Sequence, residues 1–395
     1  MRDAVSADER STGGVSEGRP FVIVAGDFVT TGGMDVANHG LAMGLARRGR
    51  EVHLVAHRVA DDLACEPNVT VHPVPRPRGS HVLGFPLLDR AGRRVANRLK
   101  DQRPHVVANG GNCRAGNVVW LHYVHAAAAP PQAGLVRGAA NHLLRRRFMA
   151  DEKAAIRRAR LVIANSAATR RAAFALLGRE DDRVRTIYYG IDPERFRPPT
   201  LDERAEARAA LGWTDDRPVV VFVGALGDRR KGFDTLFAGW EQLCGSVDWD
   251  ARLAVVGTGA ELPAWKQRAD DAGLGARIHF LGFQQDVRRV LWACDVLAAP
   301  TRYEAYGLAV HEAVCCGLPA LVSAGAGVAE RMPPSLSGLL IEDPESRGEL
   351  VDALRSWRAA RESYAAAALA ASAELRRRTW DDMAAEMLDA TEAVR

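Results

Sequence analysis

At 395 residues the chain is too long for one comfortable hydrophobic core, so two domains are the default. Its composition, 47% hydrophobic and 26% charged, is that of an ordinary soluble globular protein, and no apolar run approaches the roughly 18 residues of a membrane span. A net charge of +4 is small at this length and does not suggest a nucleic-acid partner, which would call for a concentrated basic face or stacking aromatics.

The chain opens on a polar stretch, MRDAVSADERSTGGVSEGRP, without an apolar h-region, and reads as a disordered tail over 1–19, not as a signal peptide. Short β-branched runs then predict strands at 21–26, 51–57, 69–74, 105–110, 118–123, 161–166 and 185–190, separated by helical stretches. Continuous apolar runs without strict alternation suit strands buried on both faces of a parallel sheet. Between 191 and 217 the pattern lapses into a proline-containing segment with a short helix, a linker. It restarts at 219–226, 252–257, 278–283, 296–300, 319–323 and 338–342, and after 345 the chain is Ala/Arg/Glu-rich and helical. Two doubly wound α/β domains facing each other across a cleft are the economical architecture. The expected division is a tail (1–19), an N-terminal acceptor-side domain (20–192), a linker (193–216) and a C-terminal donor-binding domain (217–375). A last helix (376–395) has the N-terminal domain as its candidate packing partner.

Lysine occurs only at 100, 153, 231 and 266, which with heavy alanine use suggests a high-GC bacterial gene. Cys65, Cys113, Cys244, Cys294, Cys315 and Cys316 form no CxxC pair and read as reduced structural thiols of a cytoplasmic protein.

Several familiar motifs are missing. GDFVTTGGMDVANHG after the first strand is not GxGxxG, VVGTGAEL holds a lone GxG, and GALGDRRKGF lacks the GxxxxGK(S/T) phosphate loop. Asp248 and Asp250 form a DxD that precedes a strand, where a metal-nucleotide DxD should follow one, so no metal site is supported.

Other segments carry chemistry. FVGALGDRRKGFDTL puts Gly224 at a strand end and Arg229, Arg230 and Lys231 at the entry to a helix, an arrangement suited to an anion or to a solvated basic turn. HFLGFQQDV ends a strand near Phe283 and Gln284. RYEAYGLAVHEAVCCGLP sets Glu304 and Glu312 on either side of a helix start near Tyr306, whose free N–H groups suit a diphosphate. Taken alone, either carboxylate is also what ordinary helix capping looks like.

Together with YYGIDPERFRP and SGLLIEDP, in this order, these blocks resemble the retaining glycosyltransferases of GT-B fold, in particular glycosyltransferase family 4, over essentially 20–390. The resemblance implies a donor site in the C-terminal domain for a nucleoside diphosphate sugar, UDP or GDP being the favoured bases. It implies that Lys231 and one of Arg229 or Arg230 bind the diphosphate without a metal or other cofactor. The backbone of Tyr306, Gly307 and Leu308 receives the phosphates, Glu304 holds a sugar hydroxyl, Glu312 takes the ribose, and the Phe283–Gln284 backbone faces the base. The family's usual arginine after the strand glycine is Ala225 here, so Arg229 or Arg230 must substitute.

In the N-terminal half the resemblance implies that Gly32 and Gly33 let the backbone approach the donor or acceptor. A histidine should stand beside the reacting sugar, with His125 preferred over His122, and Asn165 and Ser166 should border the cleft. The implied reaction transfers a sugar to an acceptor hydroxyl (of a glycan, a polyprenyl lipid or a secondary metabolite) with retained anomeric configuration. An NDP-sugar 2-epimerase of the same architecture and a non-catalytic sugar-nucleotide scaffold are the alternatives. The basic segment 141–162 reads as a solvated helix face more readily than as a membrane contact, since Asp151 and Glu152 interrupt it.

Overall fold

The computed structural model describes residues 18–128 and 135–394. The tail expected over 1–19 lies, except for Gly18 and Arg19, outside the described residues.

The first half supplies strands β1 (Phe21–Val24), β2 (Asp27–Phe28), β3 (Val52–Ala56), β4 (Arg58–Val59), β5 (Val69–Pro73), β6 (His105–Asn109), β7 (Val118–Leu121), β8 (Leu161–Ala164) and β9 (Val184–Thr186). Seven of them form one parallel sheet in the order β5-β3-β1-β6-β7-β8-β9, with β2 and β4 a separate short pair. The central strands are apolar runs because helices cover both faces: every residue of β1, β3, β6, β7 and β8 is buried. The second half supplies β10 (Val219–Val223), β11 (Arg252–Val256), β12 (Ile278–Gly282), β13 (Val296–Ala299), β14 (Ala320–Ser323) and β15 (Leu340–Ile341), parallel in the order β12-β11-β10-β13-β14-β15.

Both sheets are Rossmann-like and doubly wound. The strand order reverses between β1 and β6 in one and between β10 and β13 in the other, and ligands of such sheets bind beyond the strand ends at these switch points. Each strand expected from the sequence is present, most of them shortened at the ends. The run at 185–190 is strand only as far as Thr186, because the chain beyond it leaves the sheet to cross between domains.

Within the linker, Thr200 and Glu203 form a capping box at the start of the Leu201–Ala210 helix. Arg204 of that helix bonds the carbonyls of Trp292 and Cys294, both at 2.8 Å, which holds the linker helix to the C-terminal half. The chain returns at Thr379, which caps the final Trp380–Glu392 helix. That helix lies on the Gly33–Arg47 helix of the N-terminal half. A Cβ added at Gly40 would come 3.0 Å from the Trp380 ring, and one at Gly44 would come 2.4 Å from Ala384 Cβ, so the absence of side chains there permits the approach. Met383 and Met387 are buried in this contact, each contributing roughly 1.5–3 kcal/mol. The two crossings touch: Ile191 N–H donates to the Arg378 carbonyl at 3.0 Å, and Ile191 forms a parallel bridge with Thr379. Among the described residues no helix is long and apolar enough to cross a membrane.

Candidate active site

One cavity opens where the sheet switch points face each other, and a second lies beside it in the N-terminal half. The first, about 890 Å³, is lined by Gly32 and Gly33 from one half and by Gly224, Ala225, Phe283, Gln284, Leu308 and Glu312 from the other. A Cβ added at Gly33 would lie only 3.7 Å from Leu308 Cβ, so the glycine loop after β1 faces the start of the Leu308–Cys315 helix directly. That helix begins after Gly307, which holds φ 107° and ψ 57°, a conformation that disfavours any side chain. The loop before it is fixed by two backbone bonds, Gly327 N–H to the Glu304 carbonyl at 3.1 Å and Val328 N–H to the Tyr306 carbonyl at 2.7 Å. The unpaired N–H groups of the first turn therefore open toward the cleft in a fixed position.

At one end of this arrangement Lys231 Nζ meets Glu304 Oε2 at 2.6 Å. Lys231 leaves the short 3-10 turn Arg229–Lys231 after β10, and Glu304 lies in the loop after β13, so the two come from strands on either side of the switch point. The neighbouring arginines separate. Arg230 is held by Asp228 through bonds of 2.9 and 2.6 Å and lies over the Tyr123 ring of the opposite domain, 5.1 Å from its centroid. Arg229 pairs with Asp234 at 3.2 Å, where Arg302 also binds Asp234. Neither arginine lines either cavity, and the Lys231–Glu304 pair also lies outside both linings, next to the loop that leads to Leu308. Tyr306 is buried, its hydroxyl bonded to His311 at 2.9 Å, so its backbone is what it offers to the cleft.

The second cavity, about 600 Å³, lies against the N-terminal sheet and is lined by Asp35, Asn109, His122, Tyr123, His125 and Glu152 among others. His122 Nδ1 is hydrogen-bonded to the Tyr189 hydroxyl, while its Nε2 is buried without a partner among the described residues. Burial lowers His122 to about 3, so its imidazole is neutral. Tyr189 in turn packs on Tyr306, ring centroids 4.6 Å apart, which puts His122 one layer from the Glu304 loop. His125 is bonded through Nδ1 to the buried Glu152 at 3.1 Å and packs edge-on to Tyr123.

Asn165 and Ser166 line neither cavity. Asn165 bonds the Tyr189 hydroxyl at 3.1 Å. Ser166 caps the Ala167–Leu177 helix and donates to the Ala305 carbonyl at 2.6 Å. Ser166 thereby joins the two domains, while the bonds of Asn165 stay within the N-terminal half.

Three charged residues of the cleft had no role assigned from the sequence. Arg195, inside the YYGIDPERFRP block, lines the first cavity, and its charge acts on Glu312. Burial nonetheless pushes the Glu312 carboxyl up to about 8. Asp35, in the first turn of the helix after the glycine loop, is raised to about 6 by burial and by the nearby Asp27. Asp27 itself would be raised by burial, but Arg58 and Arg76 hold it below the usual carboxylate range. The acidic residue two positions after Gly33 was visible in the sequence, but its place in the second cavity depends on where the helix docks.

The chain matches two family descriptions in succession: Glycosyltransferase Family 4 over residues 31–195 and Glycosyl transferases group 1 over residues 203–373. The two matches, side by side, mark the chain as a glycosyltransferase of the family 4 type. It is similar to the D-inositol 3-phosphate glycosyltransferase of Xylanimonas cellulosilytica, 29% identical over 91% of each chain. It is also similar to the D-inositol 3-phosphate glycosyltransferase 1 of Catenulispora acidiphila, 33% identical over 52% of this chain and 51% of that one. The latter match thus spans about half the relative's length. Among solved structures, WaaG, a glycosyltransferase involved in lipopolysaccharide biosynthesis, shares the fold with a TM-score of 0.76 at 21% identity, covering 95% of this chain and 99% of that one. The Anabaena HepE in complex with UDP and glucose aligns with a TM-score of 0.69 at 22% identity, over 95% of this chain and 100% of that one. The fold is GT-B, and the protein is a glycosyltransferase.

Proposed function

We propose that the protein transfers a sugar from a nucleoside diphosphate sugar to an acceptor hydroxyl, retaining the anomeric configuration and using no metal. The observation that carries this reading is the Lys231–Glu304 pair at 2.6 Å beside the start of the Leu308–Cys315 helix. A cation and a carboxylate beside a helix start suit the diphosphate and the sugar of one donor. The donor occupies the larger cavity, its base near Phe283 and Gln284 and its ribose near Glu312. A Glu312 carboxyl raised to about 8 keeps its proton at neutral pH and can both donate to and accept from ribose hydroxyls. The HepE complex with UDP and glucose is consistent with a UDP-sugar donor.

Retention by double displacement needs a carboxylate on the sugar's far face. Glu304, held by Lys231, is placed to orient the sugar, and the scheme assigns it no nucleophilic role. The reaction instead follows a front-face route in which the departing diphosphate takes the acceptor's proton. Lys231, Arg230 and the helix start then stabilise charge as it develops on the leaving group. Arg230, at the cleft wall over Tyr123, takes the part left open by Ala225. The unpartnered Nε2 of His122, one layer from the Glu304 loop, favours that residue for the sugar side and leaves His125 to the acceptor.

Incubation of pure protein with labelled UDP- and GDP-sugars tests the reading. Slow release of sugar with the α-anomer preserved, in the presence of chelator, is the expected result. An isomerised sugar nucleotide, or no turnover of any donor that binds, would refute it.

A further inference from the structure

A third cavity, about 780 Å³, opens on the N-terminal domain between the His81–Arg98 helix and the Leu135–Arg158 helix. Six arginines line it (Arg90, Arg93, Arg94, Arg114, Arg147 and Arg158), against only two acids, Asp89 and Asp151. The excess of four positive charges equals the net charge of the whole chain. Both acids are already engaged. Asp89 accepts from Arg93 Nε at 3.2 Å and from the Arg114 backbone N–H at 2.8 Å, and Asp151 accepts from Arg147 Nε at 3.3 Å. The side chains of Arg90, Arg94, Arg114 and Arg158 have no acid or hydrogen-bond partner among the described residues. Guanidinium groups gathered around one cavity repel one another, and their planar forks match the oxygens of a phosphate.

The cavity adjoins the chamber that holds His125. Phe85, Gly111 and Asp151 belong to the walls of both. The Phe85 ring packs on Phe148 with centroids 5.7 Å apart, and Phe148 packs on His125 at 5.4 Å, so an aromatic floor runs from the arginines to the histidine.

We infer that the arginine cavity seats a phosphate carried by the acceptor, placing the hydroxyl to be glycosylated in the His122–His125 chamber. The inference rests on the reading of that chamber as the acceptor's. It names one chemistry, a phosphate group, which a soluble phosphorylated acceptor or a lipid headgroup would each supply.

The test titrates inorganic tripolyphosphate into the wild type, into an Arg90→Glu/Arg94→Glu variant and into an Arg347→Glu/Arg355→Glu control, whose positions are exposed in the other domain. The donor site is common to all three, so the difference between the two variants reports on the cavity alone. The expected result is binding at least about 10-fold weaker in the Arg90/Arg94 variant, with the control within about 2-fold of wild type and melting temperatures unchanged. No binding by the wild type, or equal affinity in all three proteins, overturns the inference. Flotation with vesicles of phosphatidylcholine and phosphatidylglycerol separates the sources. Vesicle binding that the Arg90/Arg94 variant loses assigns the site to a headgroup, and no vesicle binding assigns it to a soluble phosphate. UDP binding by the same preparations reads the donor site separately. Retained UDP binding without a tripolyphosphate difference defeats only this inference, and the reverse defeats only the donor assignment.

Discussion

Lys231 and Glu304, separated by 73 positions in the chain, meet at 2.6 Å where the order of the C-terminal sheet reverses. Their side chains are 31% and 21% exposed, so water weakens the pair and it adds little to stability. What the contact does is orient: each group is placed before the donor arrives. Lys231→Ala and Glu304→Ala should each lower kcat/KM about 100-fold, ~2.7 kcal/mol. Melting temperature should change by no more than about 2–4 °C. Donor turnover and thermal unfolding, measured on the same samples, check both halves, and near-wild-type turnover in both variants would remove the pair from the site.

The two histidines should separate kinetically. His122→Ala is expected to lower turnover about 10-fold, the loss of roughly one hydrogen bond, even when donor hydrolysis without acceptor is followed. His125→Ala should leave that hydrolysis intact and raise the acceptor KM. Because burial keeps His122 neutral, with its pKa lowered to about 3, no inflection from it should appear in the hydrolysis rate between pH 5 and 8. The opposite pattern in the two variants would return the sugar side to His125.

Glu312 predicts how stability depends on pH. Its carboxyl titrates near 8 in the folded protein against 4.5 as its ordinary value, so between these limits the folded state binds the extra proton. Stability from this group is therefore full below about pH 4.5 and declines as pH rises toward 8. Glu312→Gln, which cannot ionise, should melt a few degrees above wild type at pH 8, with the gap closing toward pH 5. A gap independent of pH would show that Glu312 is ionised throughout. UDP affinity should fall in the variant as a ribose contact is altered.

Gly307 carries the backbone turn on which the helix start depends. A Cβ there would lie 2.9 Å from Val328 Cγ1 and 3.2 Å from Glu304 Cγ, on a backbone at φ 107°. Gly307→Ala should cost on the order of 1–3 kcal/mol in stability and displace Glu304. Unfolding in denaturant and donor turnover would both register the change. A variant as stable and active as wild type would show that the turn tolerates a side chain.

Much of the fold was legible because buried parallel strands are written as continuous apolar runs, FVIV and VVVFV among them. The placement of Lys231, Glu304, Gly307 and Glu312 was legible from the ends of those runs, since residues just beyond parallel strands gather on one sheet edge. Contacts between domains were not. Nothing local in RRK tells that Arg229 joins Asp234 and Arg302 while Arg230 reaches Tyr123, 107 positions away by subtraction of the residue numbers. The same holds for Ser166, whose partner is the Ala305 carbonyl, and for His122, whose surroundings come from Tyr189. The arginine cavity needs two helices to dock before its charges meet, and along the chain those charges are scattered from 90 to 158.

The bridge between Ile191 and Thr379 has a mechanical consequence. Two chain crossings that touch at one point, the linker covalent to both halves and the final helix held to the N-terminal half by packing, leave the halves little freedom to slide and favour rotation about that point, like tongs joined at one end. Opening is then smallest at the joint and grows with distance from it. The final helix is the second arm of that joint. Deleting the segment from Thr379 onward would leave the linker as the one crossing and strip the cover from Gly40 and Gly44, turning a guided rotation into an unguided one.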